Sequence, residues 1–225
     1  KAWSSWTRNL WPWWNCLWNE INRWSFRTTF SVDAGGKMTE ATVNMGAPIL
    51  DPALVPVDAA PDSRMADGTP YVGHLRLDSP WGAFEFACVS MGNPHAVCLV
   101  DDWAALPDEL FPAGAEKSLS TLRIDLPGPF FETHPAFPEK TNVEFASVTD
   151  EGIAMRVWER GCGETLACGT GACATNTAAC LTGRAGREND LMLSGGLLHI
   201  CWNEDGTTSM TGPATESFSG TIVLP

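Results

Sequence analysis

Short runs in which apolar and polar residues alternate fill most of the chain after residue 30, and glycine and proline separate these runs. A period of two is typical of half-buried strands, because successive side chains of a strand point to opposite faces. It predicts strands over residues 31–33, 38–45, 71–77, 83–90, 96–100, 121–125, 143–148, 153–158, 191–193, 197–202, 209–211 and 220–224.

Two segments have helical rather than strand character, residues 103–113 and residues 169–182. The second is rich in Ala and Thr, and Gly183 follows it, as glycine commonly follows the end of a helix. A chain with many strands and one helix of small residues predicts an α+β fold in which the sheet wraps around that helix.

The first thirty residues differ in composition from the rest of the chain. They contain seven of the eleven Trp and carry four basic residues against one acidic residue. Their apolar positions recur at steps of three and four, which is helical spacing, although Pro12 would kink or end a helix. Three interpretations stay open: an amphipathic helix at a membrane surface, a cap over an apolar surface of the remaining chain, or a sequence that is not native coding sequence.

The whole chain is acidic, with a formal net charge of −13 over 225 residues. Nucleic acid and anionic lipid would repel it at long range, so we expect neither as a partner. The sequence contains no apolar run of the roughly 18 residues that a membrane span requires. Its eight Cys are too sparse for a disulfide scaffold and form no paired CxxC motif. We therefore expect reduced thiols, a cytoplasmic location and no metal.

The densest chemical signal is ERGCGETLACGTGAC, residues 159–173, where a predicted strand enters a Gly-rich turn and a helix follows. Cys168 stands at the start of that helix, where free backbone N–H groups and the helix dipole favour negative charge. This position predicts a lowered pKa of the thiol. Gly169, Thr170 and Gly171 leave the N–H groups open to a substrate carboxylate. The pattern predicts a thiolate beside an anion cradle, suited to Cα proton removal or nucleophilic attack; a structural cysteine at a tight helix start is the alternative.

Two further polar segments interrupt apolar runs, SMGNPHAV at residues 90–97 and TNVEF at residues 141–145. Asn93 precedes Pro94, which favours extended backbone, and its amide can hydrogen-bond a polar ligand. His95 can orient or protonate a group near neutral pH. SMGNPHAV alone is equally consistent with a common turn and a structural histidine, and TNVEF, a strand that begins with an Asn, is a weaker signal.

Taken together, these segments resemble the diaminopimelate epimerase family, cofactor-independent enzymes of lysine and peptidoglycan biosynthesis. The resemblance covers about residues 31–225 and rests on VNMGAPIL, SMGNPHAV, TNVEFASV, ERGCGETLACGTGACA and MTGPATESFSGTIVL, in the family's order. It implies two pseudo-symmetric lobes, each a mostly antiparallel β-barrel around a central helix, with the active site between them. It also implies an isomerase that interconverts LL- and meso-diaminopimelate with two cysteines and without cofactor or metal.

The resemblance assigns the reacting end of the site. It makes Cys168 one of the family's two catalytic cysteines, and it makes Gly169 and Thr170 the donors of backbone N–H groups to the substrate carboxylate. Glu159 and His95 resemble positions that tune the thiol, and they are counted with Cys168 as catalytic.

The resemblance also assigns the distal, non-reacting end of the substrate. Asn93, Asn142 and Arg160 resemble the positions that hold this end, with Arg160 pairing its carboxylate. Glu159 would take the ammonium group. A distal end held in this way positions one stereocentre for reaction.

The chain departs from the family at its amino end. Family members carry a GLGNDF-like and a CGNGxRC-like segment before the strand that resembles residues 31–33, and the second of these holds the other catalytic cysteine. Neither segment occurs here, and Cys16 in WNCLW lacks the flanking glycines, so we do not carry the role over to it. We expect a truncated or misassembled member, divided into residues 1–30 outside the family, residues 31–44 and 215–225 as a remnant of the N-terminal lobe, and residues 45–214 as the C-terminal lobe.

Inversion at carbon by two bases needs one group on each face of the stereocentre, so Cys168 alone would return a proton to the side that lost it. We expect only very weak epimerisation by this chain. The alternatives are an inactive half-site protein that binds an amino acid or a partner chain, and a proline or hydroxyproline racemase-type isomerase. The latter needs a smaller site than Arg160, Asn93 and Asn142 provide. The expected partners are diaminopimelate and a second copy in a homodimer.

Overall fold

The computed structural model describes residues 28–215, so most of the Trp-rich segment and the predicted strand 220–224 lie outside the described residues. The strands are β1 (Thr28–Val32), β2 (Met38–Asn44), β3 (Ser63–Arg64), β4 (Pro70–Tyr71), β5 (Leu75–Ser79), β6 (Gly82–Ser90), β7 (Pro94–Leu99), β8 (Asn142–Thr149), β9 (Gly152–Glu159), β10 (Gly163–Thr165), β11 (Glu188–Leu193), β12 (Gly196–Trp202) and β13 (Thr208–Pro213). The helices are α1 (Pro127–Glu132) and α2 (Gly169–Leu181), with single 3-10 turns at Trp103–Ala105, Asp108–Leu110 and Leu119–Thr121.

One curved sheet organises the described chain. Eleven strands pair in the order β1-β2-β13-β12-β11-β9-β8-β7-β6-β5, with β10 added beside β9. The pairs β7–β8 and β9–β11 are parallel, and the other neighbours in this sheet are antiparallel. Helix α2 packs against β6, β7, β8, β9, β11, β12 and β13, so the sheet curls around it. The predicted α+β fold is confirmed, and over residues 28–215 the sheet stays open at β1 and β5 instead of closing into a barrel.

Small side chains allow α2 to sit inside the curved sheet. The small residues buried on this helix let the strands approach its axis closely, and they are Gly171, Ala172, Ala174, Ala178 and Ala179. The helix ends before Gly183, whose φ of 71° is the left-handed conformation that glycine adopts without strain. The helix predicted over residues 169–182 is thereby confirmed.

The central strands bury both of their faces in separate clusters. Along β6, Phe84, Phe86 and Cys88 belong to one cluster, whereas Ala87 and Val89 belong to the other. We call the side that packs on α2 the helix face and the opposite side, rich in phenylalanine, the aromatic face. Alternation along a strand therefore decides which residues can reach the start of α2.

Two predicted elements are wrong. Residues 103–113 form two 3-10 turns instead of a helix, because Pro107 lacks an N–H group and disfavours helical backbone in the residue before it. Residues 121–125 form no strand: Leu122 and Ile124 bury their side chains in the aromatic-face cluster from an irregular segment before α1. Alternating burial thus also occurs where no ladder pairs the backbone.

Candidate active site

Polar residues gather on the helix face where β7, β8 and β9 approach the start of α2. His95 lies two residues before the helix-face residue Val97 on β7, and Glu144 lies two residues before Ala146 on β8, so both polar side chains point to the helix face. The parallel register pairs Val97 with Glu144, which brings the polar residues of both strands to one end of the sheet. This alternation explains why residues distant in sequence meet beside the same helix end.

Cys168 is the N-terminal cap residue of α2. Its backbone is extended, with φ −136° and ψ 108°, and its Sγ accepts a hydrogen bond from the Gly171 backbone N–H at 3.4 Å. The same sulfur contacts Thr170 Oγ1 at 3.4 Å. The thiol of Cys168, which the sequence motif singles out, thus caps the helix, and its sulfur is directed toward the Gly171 N–H and the Thr170 hydroxyl.

The predicted lowering of the Cys168 pKa is wrong. Burial raises the pKa of this thiol to about 11, the nearby carboxylates Glu144 and Glu159 also raise it, and hydrogen bonds from Thr170 and Gly171 oppose these effects incompletely. The curved sheet withdraws the sulfur from water, and the loss of solvation outweighs the helix terminus. Cys168 therefore rests as a protonated thiol near neutral pH.

A chain of hydrogen bonds leads from the sulfur into the sheet. Asn93 Nδ2 donates to Thr170 Oγ1 at 3.3 Å, and Asn93 Oδ1 lies 3.1 Å from His95 Nε2. His95 Nδ1 lies 2.6 Å from Glu144 Oε1. The structure thus brings together four of the predicted residues, namely Cys168, Thr170, Asn93 and His95.

Glu144 is a candidate functional residue that the sequence reasoning missed. Its side chain is fully buried, burial raises the pKa of its carboxyl group, and the contact with His95 opposes that shift. The motif TNVEFASV contains a usable signal, because its acidic residue stands at one of the alternate positions whose side chains a buried strand turns to the interior. Acidic residues are almost never fully buried unless they are paired.

The residues predicted for the distal end lie nearby but are engaged differently. Asn142 is buried, its Nδ2 donates to the Pro94 carbonyl at 2.7 Å and its Oδ1 accepts from the Arg160 backbone N–H at 2.8 Å. The Arg160 guanidinium donates to the Glu139 carbonyl at 3.0 Å. Asn142 therefore ties β8 to the turn after β9, while the charged end of Arg160 stays at the partly exposed rim.

Glu159 and Gly169 complete the predicted set. Glu159 ends β9 and accepts a hydrogen bond from Thr165 Oγ1, so it reaches Cys168 through its charge and not through direct contact. Gly169 begins α2, and a Cβ built on it would lie 3.0 Å from Met210 Sδ. This close approach leaves little room for any side chain at the first residue of the helix.

Residues 28–215 hold no group of three or more His, Cys, Asp and Glu side chains arranged to bind a metal ion. The cysteines of this range are all free thiols, and they are Cys88, Cys98, Cys162, Cys168, Cys173, Cys180 and Cys201. Within the same range, no helix has both the length and the apolar composition needed to cross a membrane.

Solved structures with this fold include two proline-type isomerases. A probable proline racemase from Agrobacterium radiobacter aligns with a TM-score of 0.51 and 14% identity, covering 89% of this chain and 58% of that one. A hydroxyproline epimerase from Agrobacterium vitis also has a TM-score of 0.51 and 14% identity, covering 85% of this chain and 54% of the other. At this identity the likeness shows a shared fold alone.

Sequence relatives are much more similar. Diaminopimelate epimerase from Leptospira biflexa is 43% identical over 190 residues, which are 84% of this chain and 60% of the relative. The enzyme of the same name from Desulfitobacterium hafniense is 45% identical over 190 residues, or 84% of this chain and 59% of the relative. The chain thus spans about three fifths of the length of these relatives. A family model described as diaminopimelate epimerase matches residues 87–216, and the chain belongs to that family.

Proposed function

We propose that this chain supplies one acid–base face of an epimerase that interconverts LL- and meso-diaminopimelate, with Cys168 as the proton carrier. The observation that carries the proposal is the position of Cys168 as the cap of α2, where its sulfur meets the Gly171 N–H and the Thr170 hydroxyl. The names of the relatives support the reaction and the substrate.

The reaction moves a proton at the Cα of the substrate. As the proton leaves, negative charge develops on the substrate carboxylate, and the free N–H groups at the start of α2, at Gly169 and Thr170, can stabilise it. Because Cys168 rests as a thiol, it delivers its proton to one face of the carbon. The thiolate left behind accepts hydrogen bonds from Thr170 and Gly171, and it removes a proton in the reverse direction.

Epimerisation also needs a base on the opposite face, and we place that base outside residues 28–215. Arg160 is proposed to pair the distal carboxylate and Glu159 the distal ammonium, since both lie partly exposed at the end of β9. Asn93 would contact the ligand beside Thr170. Asn142 would hold Arg160 in place by accepting a hydrogen bond from the Arg160 backbone N–H. The chemistry needs no cofactor or metal. A homodimer in the cytoplasm belongs to the same proposal, and sedimentation velocity tests its dimeric part.

Proton exchange in heavy water tests the assignment. We expect the purified chain to exchange the Cα proton of diaminopimelate slowly and mostly with retained configuration, measured by proton NMR and chiral chromatography. Cys168→Ser should abolish the exchange, whereas Cys162→Ser, at an exposed cysteine in the turn between β9 and β10, should leave it unchanged. Equal exchange by Cys168→Ser and the unaltered chain would reject Cys168 as the proton carrier. Rapid inversion would contradict the expected retention of configuration and would mean that the 225 residues of the purified chain include the second base.

A further inference from the structure

A fully buried acid–imidazole pair, formed by Glu144 and the predicted site residue His95, lies beyond Asn93 and Thr170 in the hydrogen-bond chain that leads from Cys168. Neither side chain of the pair, Glu144 or His95, has exposed surface, and Glu144 Oε1 lies 2.6 Å from His95 Nδ1. Among the described residues, the second oxygen, Glu144 Oε2, has no hydrogen-bond partner. Buried acceptors are nearly always paired, so an unpartnered carboxyl oxygen beside a reactive group calls for an explanation beyond packing.

The hydrogen-bond partners set the direction of each proton in the chain. Asn93 donates its amide N–H to Thr170, which leaves Asn93 Oδ1 to accept from His95 Nε2. Nε2 therefore carries a hydrogen, and Nδ1 faces Glu144 Oε1 at 2.6 Å. Because Thr170 Oγ1 already accepts from Asn93, its own hydrogen is free to donate to the sulfur 3.4 Å away. The chain of hydrogen bonds thus runs from Glu144 to the Thr170 hydroxyl, which donates to Cys168 Sγ.

Glu144 also lies close to the sulfur directly. A Cβ built on Gly171 would be 2.9 Å from Glu144 Oε1 and 3.3 Å from Cys168 Sγ, so both groups border the space that a side chain at residue 171 would occupy. Among residues 28–215, the charged and titratable groups that face Cys168 are Glu144 from β8, Glu159 from the end of β9 and Cys173 from α2. Both carboxylates oppose a second negative charge on the sulfur.

We propose that Glu144 is a positioning residue for Cys168. Its carboxyl group anchors the hydrogen-bond chain that ends on Thr170, and its charge adds to the effect of burial in keeping the sulfur protonated at rest. The catalytic step is then a proton transfer in which the S–H bond breaks, a C–H bond forms at the substrate Cα, and the thiolate remains with Thr170 and Gly171 as donors. The catalytic role of this proton transfer rests on the proposed function. The effect of Glu144 on the protonation of the Cys168 sulfur can be measured without turnover.

Site-resolved alkylation tests the inference. The full chain and its variants react with iodoacetamide at pH 8 under native conditions, and mass spectrometry follows the peptides that contain Cys168 and Cys173. Glu144→Gln keeps a hydrogen-bonding group for His95 but removes the charge, so Cys168 should react about tenfold faster, equivalent to one unit of thiol pKa. Glu144→Asp withdraws the charge by one methylene and should accelerate Cys168 about threefold.

Two controls separate charge from loosened packing. Cys173 is fully buried on the same helix, and its rate should stay unchanged in both variants. Glu132 is another buried carboxylate, engaged by Trp158 and Gly161, and Glu132→Gln should leave the Cys168 rate unaltered.

Three results would overturn the inference: an unchanged Cys168 rate, a slower one, or equal acceleration of Cys168 and Cys173. If Glu144→Gln does not fold, Glu144→Asp still decides, because the Cys168 rate must rise selectively. The alkylation assay needs no substrate, so a negative result leaves the heavy-water test of the proposed function untouched, and loss of exchange leaves this inference standing.

Discussion

The two faces of the central strands carry different properties of the molecule. On the aromatic face, Phe86 and Phe131 meet with ring centroids 4.7 Å apart, and Phe84 packs edge-on against Phe131 at 5.2 Å. On the helix face, the same strands present small residues and the buried pair His95 and Glu144 to α2. Alternate side chains of one set of strands thus provide a hydrocarbon core on one side and a polar site on the other.

The contrast between the aromatic face and the helix face explains how the interior tolerates a polar site. Large aromatic rings bury much apolar area, which stabilises the sheet independently of the helix face. Small residues such as Ala174 and Ala178 let the sheet approach α2 closely enough for the start of the helix to meet β7 and β8. If the division holds, substitutions on the aromatic face should reduce stability without altering Cys168.

The largest expected effect is on the aromatic face. Phe131→Ala removes a fully buried ring that contacts Phe84 and Phe86, and it should lower the free energy of unfolding by about 3–5 kcal/mol. Urea denaturation followed by tryptophan fluorescence measures this. In native buffer, the ratio of Cys168 to Cys173 alkylation rates should match that of the unaltered chain. A selective change at Cys168 would show that the two faces are coupled.

A pair of glycine substitutions sharpens the comparison. At Gly128 an added Cβ would lie 2.6 Å from Trp158 Cγ, and at Gly171 it would lie 2.9 Å from Glu144 Oε1. Each alanine variant should lose about 1–3 kcal/mol of unfolding free energy through overpacking.

Only Gly171→Ala should also reduce exchange of the substrate Cα proton, by about tenfold or more, because it displaces groups at the reacting sulfur. Chemical denaturation and the heavy-water assay together measure both effects. Equal exchange rates in the two variants would contradict a site confined to the helix face.

A substitution of Glu132 should have a smaller effect on stability on the aromatic face. Its carboxylate accepts from Trp158 Nε1 at 2.8 Å and from the Gly161 N–H at 3.1 Å, so it joins α1 to the end of β9. Glu132→Gln replaces one acceptor oxygen by a donor and should cost about 1–2 kcal/mol. Thermal unfolding by calorimetry measures the loss. No loss of stability would mean that this junction contributes little to the aromatic face.

The smallest effect is expected on the solvent side of β11 and β12. Hydrogen bonds and charges from Asp190 and Glu188 raise the pKa of His199, whose side chain is 42% exposed. Its stabilising contribution is complete below its unfolded pKa, near 6.5, and is lost as pH rises through the raised folded pKa. Solvent screening limits it to a few tenths of a kcal/mol.

Melting temperatures of the unaltered chain and of His199→Gln test this contribution. The two proteins should differ at pH 6 and coincide at pH 9. A difference that persists unchanged at pH 9 would contradict the assignment to protonated His199.

Local patterns in the sequence determined much of the fold and the centre of the site. Alternation predicted most strands of the sheet, and the small residues closed by Gly183 predicted α2. Cys168 as the residue at the helix start could also be read directly, because a helix cap depends on neighbouring residues. In residues 103–113 and 121–125 the same apolar signals were misleading, since side chains can be buried from turns as well as from helices and strands.

Tertiary structure alone decided the state of the sulfur and the role of its neighbours. The pKa of Cys168 rises because strands distant in sequence curl around α2 and remove water, which no local motif encodes. Glu144 reaches Gly171 only because β8 lies parallel to β7 and both pack on the helix. Local patterns predicted most elements and the place of Cys168 at the helix start, whereas the solvation and charge around its sulfur depend on long-range packing.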